Sequence, residues 1–480
     1  MKKNTINKKL IFLISIYFYL FQNISAFSQT DSLLNYLEIA AKNNPVILQK
    51  YTEYQAALQK VPQVGSLPDP DINTGVFLSP MELISGSQVA EIRLMQMFPW
   101  FGVLKNAKDE MSLMANAKYE LFRDAKLQAF YDVQRTWYEL YKVHQNVRIS
   151  EKNSEILRTL ERLSLVKFKS TPTGNSNAAF PGGNASTGPT PATSAGVSGM
   201  NVMGNKTKGS SDEPSSPSSM QSNAMGSSSG GSGLSDVYRI QMEIGELNNS
   251  IALLKTQLIT ITARFNSILN RPVKTAVSLP DTLNPDSLSI SLMAVCDSML
   301  TNNPMLGMLQ YEQQSFDARK KMVTRMGYPM VGVGVNYTVI KKSDMSTSSM
   351  NGKDMIMPMI TVTLPVYRRK YRAMQTEADL MKSATEQNYK STANSLQTEY
   401  YEAIQFYQDA QRRLKLYENQ QLLANKSLDI MIKSFSASGS GLTDLLRIRQ
   451  QTLDYEFKQV EALTDYNTSI AWLNRLMALK

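Results

Sequence analysis

A chain of 480 residues, 42% hydrophobic and 19% charged, is long enough for two or three ordinary domains or for one extended object. Its single cysteine, Cys296, excludes an intrachain disulfide, and its single histidine, His144, excludes a multi-histidine metal site. The formal charge of +10 falls to about +6 once four N-terminal lysines are set aside, and with no nucleic-acid-binding motif present that class of partner is excluded.

Lys2, Lys3, Lys8 and Lys9 precede an apolar run from Leu10 to Phe21, and the small residues Ser25, Ala26 and Ser28 follow. This is the pattern of a secretory signal peptide over residues 1–28, cut after Ala26 or Ser28. The competing reading is an N-terminal membrane anchor, for which the run is short of the ~20 residues a spanning helix needs. No cysteine stands at the cleavage site to take a lipid.

Residues 29–170 contain two segments of period two. Ile72, Thr74, Val76 and Leu78 alternate with Asp71, Asn73, Gly75 and Phe77; Ala90, Ile92 and Leu94 alternate with Glu91, Arg93 and Gln96. These predict two-faced strands over about 70–79 and 88–98, the ~9–11 residue length of a membrane-crossing β-strand. Phe98, Trp100 and Phe101 close the second, as an interfacial aromatic belt would. The period then changes: Phe122, Ala129, Val133, Thr136, Leu140, Val143 and Val147 mark one face of a helix over about 103–169. A solvated position on that helix is expected for His144.

Residues 171–232 are Gly, Ser, Asn, Thr and Pro with almost no large apolar side chain, so this stretch is expected to be disordered. A return helix follows over 233–272, with Ser235 as its expected cap, and a linker over 273–286. Residues 287–480 then repeat the plan. Val331, Val333, Val335, Tyr337 and Val339 alternate with small and polar residues, as do Ile360, Val362 and Leu364, predicting strands over about 330–340 and 357–366. Tyr389, Ala393, Leu396, Tyr400, Ala403, Tyr407, Ala410, Leu414 and Tyr417 form a heptad seam with no proline nearby, predicting a helix over about 367–435. Such a helix is roughly 100 Å long at ~1.5 Å per residue. Gly439 and Gly441 end it, Thr443 is the expected cap of the next, and the chain returns over 442–478.

The repetition is literal in places. GSGLSDVYRIQ at 231–241 matches GSGLTDLLRIR at 439–449 in seven of eleven positions. Asn43-Asn44-Pro45 recurs as Asn302-Asn303-Pro304, Leu269-Asn270-Arg271 as Leu473-Asn474-Arg475, and Pro99 matches Pro365. Pro99 lies 137 positions before Asp236 and Pro365 lies 79 before Asp444, so the first copy carries 58 extra residues, accounted for by 171–232. Four strands cannot close a barrel, and an open edge cannot face lipid. If these strands cross a membrane, three chains supply twelve strands and six helical hairpins; the alternative is two soluble hairpins packed on a core.

With this order of elements, the stretches NNPV (43–46), LPDPDINTGVF (67–77), QMFPWFG (96–102), GLSDVYRIQ (233–241), LNRP (269–272) and GLTDLLRIR (441–449) resemble the TolC-type outer-membrane efflux family. The resemblance implies a mainly α chain with a transmembrane β portion, an equatorial helix in the first repeat, and a homotrimer. Its twelve-stranded barrel would sit in outer-membrane lipid and continue as a long periplasmic α-helical barrel. It also implies a periplasmic adaptor (membrane fusion protein), an inner-membrane pump of the resistance-nodulation-division type, and no catalysis or cofactor in the duct. Asp444 matches the family's periplasmic constriction and Asp236 is its repeat counterpart. Arg447 and Arg239 stand where some members carry a second acid, so an Asp–Arg pair at i,i+3 is expected in each turn; helix-terminus charge complementarity is the plainer role for the two acids. The 171–232 insertion falls at a periplasmic hairpin tip, which is expected to meet the adaptor or pump.

There are 27 methionines. Met345, Met350, Met355, Met357 and Met359 lie in or beside the loop joining strands three and four, Met200, Met203, Met220 and Met225 lie in the insertion, and Met95 and Met97 share the face of Glu91 and Arg93. Thioethers favour Cu(I) and Ag(I), which makes copper or silver a candidate cargo without a fixed metal site. Methionine as an unconstrained apolar filler is the competing account. A duct for drugs or secreted polypeptide, and a periplasmic coiled-coil scaffold without a pore, remain alternatives.

Overall fold

A computed structural model describes residues 33–83, 85–170, 233–288, 292–345, 347, 349–436 and 441–478. The expected signal segment 1–28 and the insertion 171–232, with Met200, Met203, Met220 and Met225, lie outside the described residues. Among the described residues twelve elements follow in order: α1 (Leu33–Asn43), α2 (Pro45–Gly65), β1 (Asp71–Leu83), β2 (Gly86–Phe98), α3 (Val103–Ser170), α4 (Gly233–Ile268), α5 (Leu292–Asn302), α6 (Pro304–Met326), β3 (Met330–Lys341), β4 (Met355–Thr363), α7 (Arg368–Ser436) and α8 (Leu442–Leu476). The chain forms two compact units, one of residues 1–153 with 248–480 and one of residues 154–247.

The repeat is visible in its caps. Asn44 and Asn303 hold the same extended backbone, φ −63° with ψ 122° and 124°, immediately before Pro45 and Pro304. Asn44 Oδ1 accepts from the backbone N–H of Val46 at 2.9 Å and of Ile47 at 3.3 Å, and Asn303 Oδ1 accepts from Met305 at 2.9 Å. A proline one step later costs no hydrogen bond, because its N–H would be an orphan of the first turn. The other repeated motif diverges. Asn270 takes φ +52° and terminates α4 after Ile268, short of the expected 272, whereas Asn474 is still helical and Ala478, at φ +53°, follows the end of α8.

The larger unit is held by heptad seams. Leu396, Tyr400 and Ala403 of α7 bury against Val295 and Met299 of α5, Leu306 of α6, and Leu473, Leu476 and Met477 at the end of α8. Ala410 meets Tyr466 and Ile470 of α8. Val133, Trp137 and Tyr138 of α3 bury against Tyr36 and Ala40 of α1 and Phe265 and Leu269. The linker 273–286 is stitched down by polar atoms: Tyr36 and Tyr141 hydroxyls accept from the N–H of Ser278 and Leu283, and Asn467 Oδ1 accepts from Asp286. A 69-residue α7 is roughly 100 Å of helix at ~1.5 Å per residue. In the smaller unit the end of α3 and the start of α4 bury Leu157, Leu160, Val237, Ile240 and Leu247, and Gln241 Nε2 donates to Glu161 Oε1 at 2.7 Å.

The strands form one antiparallel sheet in the order β1-β2-β3-β4, with β1 and β4 at open edges. Gly86 turns the β1–β2 hairpin at φ +119°, and a Cβ there would lie 2.5 Å from the Lys341 carbonyl oxygen, so a side chain is barred on both counts. β4 begins at Met355, before the expected 357, and ends at Thr363. The expected caps lie inside their helices: α8 starts behind Gly441, which makes no side-chain cap bond, so Thr443 falls in the first turn, and Ser235 falls within α4, which begins at Gly233. Among the described residues no helix is long and apolar enough to cross a membrane.

Candidate functional site

Strand register sorts the sheet into two faces. One carries Ile92, Leu94 and Phe98 of β2, paired with Tyr337, Val335 and Val331 of β3, and beyond them Ile72 of β1 and Ile356, Ile360 and Val362 of β4. All of these are exposed, Val335 at 45% and Ile360 at 76%. The other face carries Asn73, Glu91, Arg93, Asn336, Thr338 and Thr361, with Asn336 and Thr338 buried. A soluble sheet buries its apolar face; here that face is open, while on the other face the β3 positions are covered and Asn73 and Thr361 at the edges are exposed. Gln96 was expected to alternate with Ile92 and Leu94, but it shares their face, since side chains two and four residues apart point the same way. Its amide is satisfied at the strand end by the carbonyls of Pro68 at 2.8 Å and Met97 at 3.1 Å.

The aromatic residues gather where β2 meets α3. Phe98 closes the strand, Trp100 stacks on Tyr328 with ring centroids 5.4 Å apart, and Phe101 stands 86% exposed beside it. Tyr367, after β4, is 81% exposed. At the other end of the sheet the β3–β4 loop is ordered by its own polar atoms: Asn351 exchanges hydrogen bonds with Ser343, and Asp354 accepts from the Ile340 N–H and the Tyr337 hydroxyl. Met345 and Met350 are exposed on this loop, whereas Met355, Met357 and Met359 are residues of β4 itself.

The turn motif is split by helical periodicity. At the start of α8, Leu442, Leu445, Leu446 and Arg449 are buried, while Asp444 and Arg447 face outward. The expected Asp444–Arg447 pair forms only loosely, at 3.9 Å with both side chains largely exposed, so it adds little stability. Sequence reasoning missed Arg449: its guanidinium donates to Asn153 Oδ1, burial pushes its pKa down, and burial pushes the Glu456 carboxyl up. The Arg449–Ile448 neighbours differ from the first copy's Gln241–Ile240 by one charge, which was the only available signal. In the first copy, Asp236 lies in the first turn of α4 and is half-buried, and Arg239 is exposed. His144 is half-buried, not solvated, and its covered Nδ1 has no hydrogen-bond partner among the described residues.

Deeper in the larger unit a groove lies between α3, α7 and α8, lined by Tyr131, Arg135, Glu399, Phe406, Asp465 and Trp472 among others. Glu399 accepts from Trp472 Nε1 and Arg475 Nη1, each at 2.8 Å, and Arg413 bridges Asp409 and Asp465 at 2.8 and 2.9 Å. Asp124 lies near this network; burial pushes its carboxyl above the usual range, Arg475 opposes the shift and Glu399 adds to it. The Glu399 and Arg413 bonds tie α7 to α8, as expected of helix-to-helix stitching.

No protein-family model matches the chain, and no curated protein does. Solved structures do. The chain is similar to CusC, described in crystal structures concerned with folding and transmembrane channel formation, at 12% identity and TM-score 0.65 over 94% of this chain and 92% of that one. It is similar to the open-state outer-membrane channel MtrE of Neisseria gonorrhoeae, at 11% identity and TM-score 0.65 over 93% and 88%. It is likewise similar to the outer-membrane protein VceC of Vibrio cholerae, at 11% identity and TM-score 0.64 over 93% and 96%. The chain has the TolC-type outer-membrane channel fold.

Proposed function

We propose that the chain is one third of a passive outer-membrane duct. Three copies join their four-stranded sheets into a twelve-stranded barrel and continue it as a helical barrel in the periplasm. The observation that carries this reading is the inverted sheet: both edges are unpaired and the apolar face is bare. Alone in water such a sheet exposes a row of hydrophobic side chains and two ladders of unmet backbone groups; closure in lipid satisfies both. The apolar run from Val331 to Val339 is about 27 Å along the strand and about 20 Å high at a tilt near 40°, close to the ~25 Å band of outer-membrane barrels. Trp100, Phe101 and Tyr367 suit the membrane–water boundary.

In this reading a periplasmic adaptor and an inner-membrane pump of the resistance-nodulation-division type deliver the cargo, and the duct does no chemistry. Asp444 with Arg447 faces the channel in its turn, and Asp236 with Arg239 plays the same part in the other copy. The exposed Met345 and Met350 favour a soft metal, Cu(I) or Ag(I), as cargo. The test of the duct is detergent-dependent extraction, heat-modifiable migration of the trimer, and ion conductance in planar bilayers. A protein that extracts without detergent and conducts nothing is a scaffold, and the duct reading is then lost. For the cargo, a deletion strain should become sensitive to copper and silver; sensitivity confined to drugs would replace the metal with an organic substrate.

A further inference from the structure

β3 is bare on its inner face at two places. Gly332 pairs with Met97 on one side and Thr361 on the other; Gly334 pairs with Met95 and with Met359. The thioether sulfurs occupy the space a side chain would have filled. Met95 Sδ lies 3.2 Å from the Cβ position of either glycine, and Met97 Sδ lies 2.5 Å from that of Gly332. One and two rows further, Met357 pairs with Asn336 and Met355 with Thr338, on the same face. The strands on either side of β3 stand about 10 Å apart, so thioethers leaning in from both meet over the glycine backbone.

Filler alone does not explain this arrangement. Where β4 needs apolar side chains on its open face it uses Ile356, Ile360 and Val362, as strand propensity favours, with Pro358 tolerated because β4 is an edge strand. Methionine appears only at the alternate positions 355, 357 and 359, on the face otherwise occupied by Asp71, Asn73, Glu91, Arg93, Asn336, Thr338 and Thr361. Nothing in the strand's own packing calls for a flexible thioether beside charged groups. Asn336, only 6% exposed, leaves its Oδ1 without a hydrogen-bond partner among the described residues, between Arg93 and Met357. Its cross-strand neighbour Arg93 likewise leaves a buried Nε without a partner among the described residues, so this face carries polar groups that the strand packing leaves unmet.

We infer that Met95, Met97, Met355, Met357 and Met359 form a thioether platform on the inner face of the sheet that binds a soft monovalent metal ion, Cu(I) or Ag(I). The inference rests on the duct reading, which makes this face the lumen. Thioether sulfur is a ligand for soft cations and a poor one for Na⁺, K⁺ or Mg²⁺, so the platform selects by softness. Successive sulfurs on one strand lie about 7 Å apart, giving neighbouring weak sites rather than one deep trap. That is the arrangement a conducting path requires, since an ion must leave as readily as it enters. Glu91 and Asp71 on the same face offset the charge of Arg93 and keep the surface open to a cation.

The test uses the full chain purified in detergent, Ag(I) as the probe, and a variant with all five methionines replaced by leucine. Leucine keeps the volume and apolarity and removes only the sulfur. Losing even an indirect partner of a bound metal weakens it roughly 10–100-fold, so loss of the sulfurs themselves should weaken Ag(I) binding by at least about tenfold. A second variant, Met345→Leu with Met350→Leu in the β3–β4 loop, should keep the binding of the platform. Planar-bilayer conductance is recorded for each protein in parallel. Wild-type conductance with Ag(I) binding that disappears in the five-leucine variant supports the platform. Conductance in both with equal Ag(I) binding overturns the platform and leaves the duct standing. A wild-type protein that does not conduct removes the lumen, and the inference with it.

Discussion

Ile360 and Thr361 are neighbours on β4 and point to opposite faces of the sheet, so arginine at each separates the lipid side from the water side at one depth. Ile360 pairs with Val333, one residue pair from Val335 at the centre of the apolar run. That offset is about 7 Å along the strand and about 5 Å in depth at a tilt near 40°, against a half-height near 12 Å. Arginine on the lipid face of a barrel costs about 2–4 kcal/mol at the midplane and about 0–1 kcal/mol at the boundary. Ile360→Arg should therefore cost about 2 kcal/mol per chain, or about 6 kcal/mol over three copies. Thr361→Arg, paired with Gly332 on the exposed edge of the other face, should cost under about 1 kcal/mol per chain. The assay is the temperature at which the trimer in lipid vesicles loses its fast-migrating form on electrophoresis. If Thr361→Arg lowers that temperature as much as Ile360→Arg does, the exposed apolar face is not the lipid face and the reasoning fails.

Three further outcomes are expected. Asn44→Ala should destabilise by more than Asn303→Ala, each losing about 1 kcal/mol of cap, because Asn44 Nδ2 also donates to the Ile268 carbonyl at 2.8 Å; equal denaturation midpoints would contradict this. Burial raises the Asp124 carboxyl pKa above its ordinary 3.8. Its contribution is therefore intact below that value and lost as pH rises through the higher folded-state pKa. Asp124→Asn should match the wild type in acid and exceed it in thermal stability near neutrality, and a variant less stable at neutral pH would show that the carboxylate is wanted for Arg475. In planar bilayers Asp444→Asn leaves Arg447 uncompensated in its turn, so the reversal potential in a salt gradient should shift toward anion preference; an unchanged potential would remove Asp444 from the conducting path.

Much of the fold was written in periodicities. The four-residue and three-residue steps from Tyr389 to Tyr417 place one stripe on α7, and Leu396, Tyr400, Ala403 and Ala410 of that stripe are buried. The alternation from Val331 to Val339 assigns β3 two faces, and the matched Asn-Asn-Pro motifs yield matched caps. Each of these follows from residues within one element, where backbone geometry fixes which side chains share a face.

Other features needed the partner elements. Period two assigns Met355, Met357 and Met359 to one side of a strand only after β4 is known to begin at Met355, and pairing with β3 sets that start. Pro272, two residues after Asn270, bars the first helix from continuing, whereas no proline follows Asn474; the place where each helix stops also depends on its neighbours. Arg271 stacks over Tyr36 and Phe265, but Arg475 reaches across to Glu399. Local sequence thus determined the elements and their faces, because short-range sterics and periodicity act within a few residues. Register, the stopping points of strands and the meeting of methionines from two distant strands were decided by long-range pairing, whose energy appears only when both partners are in place.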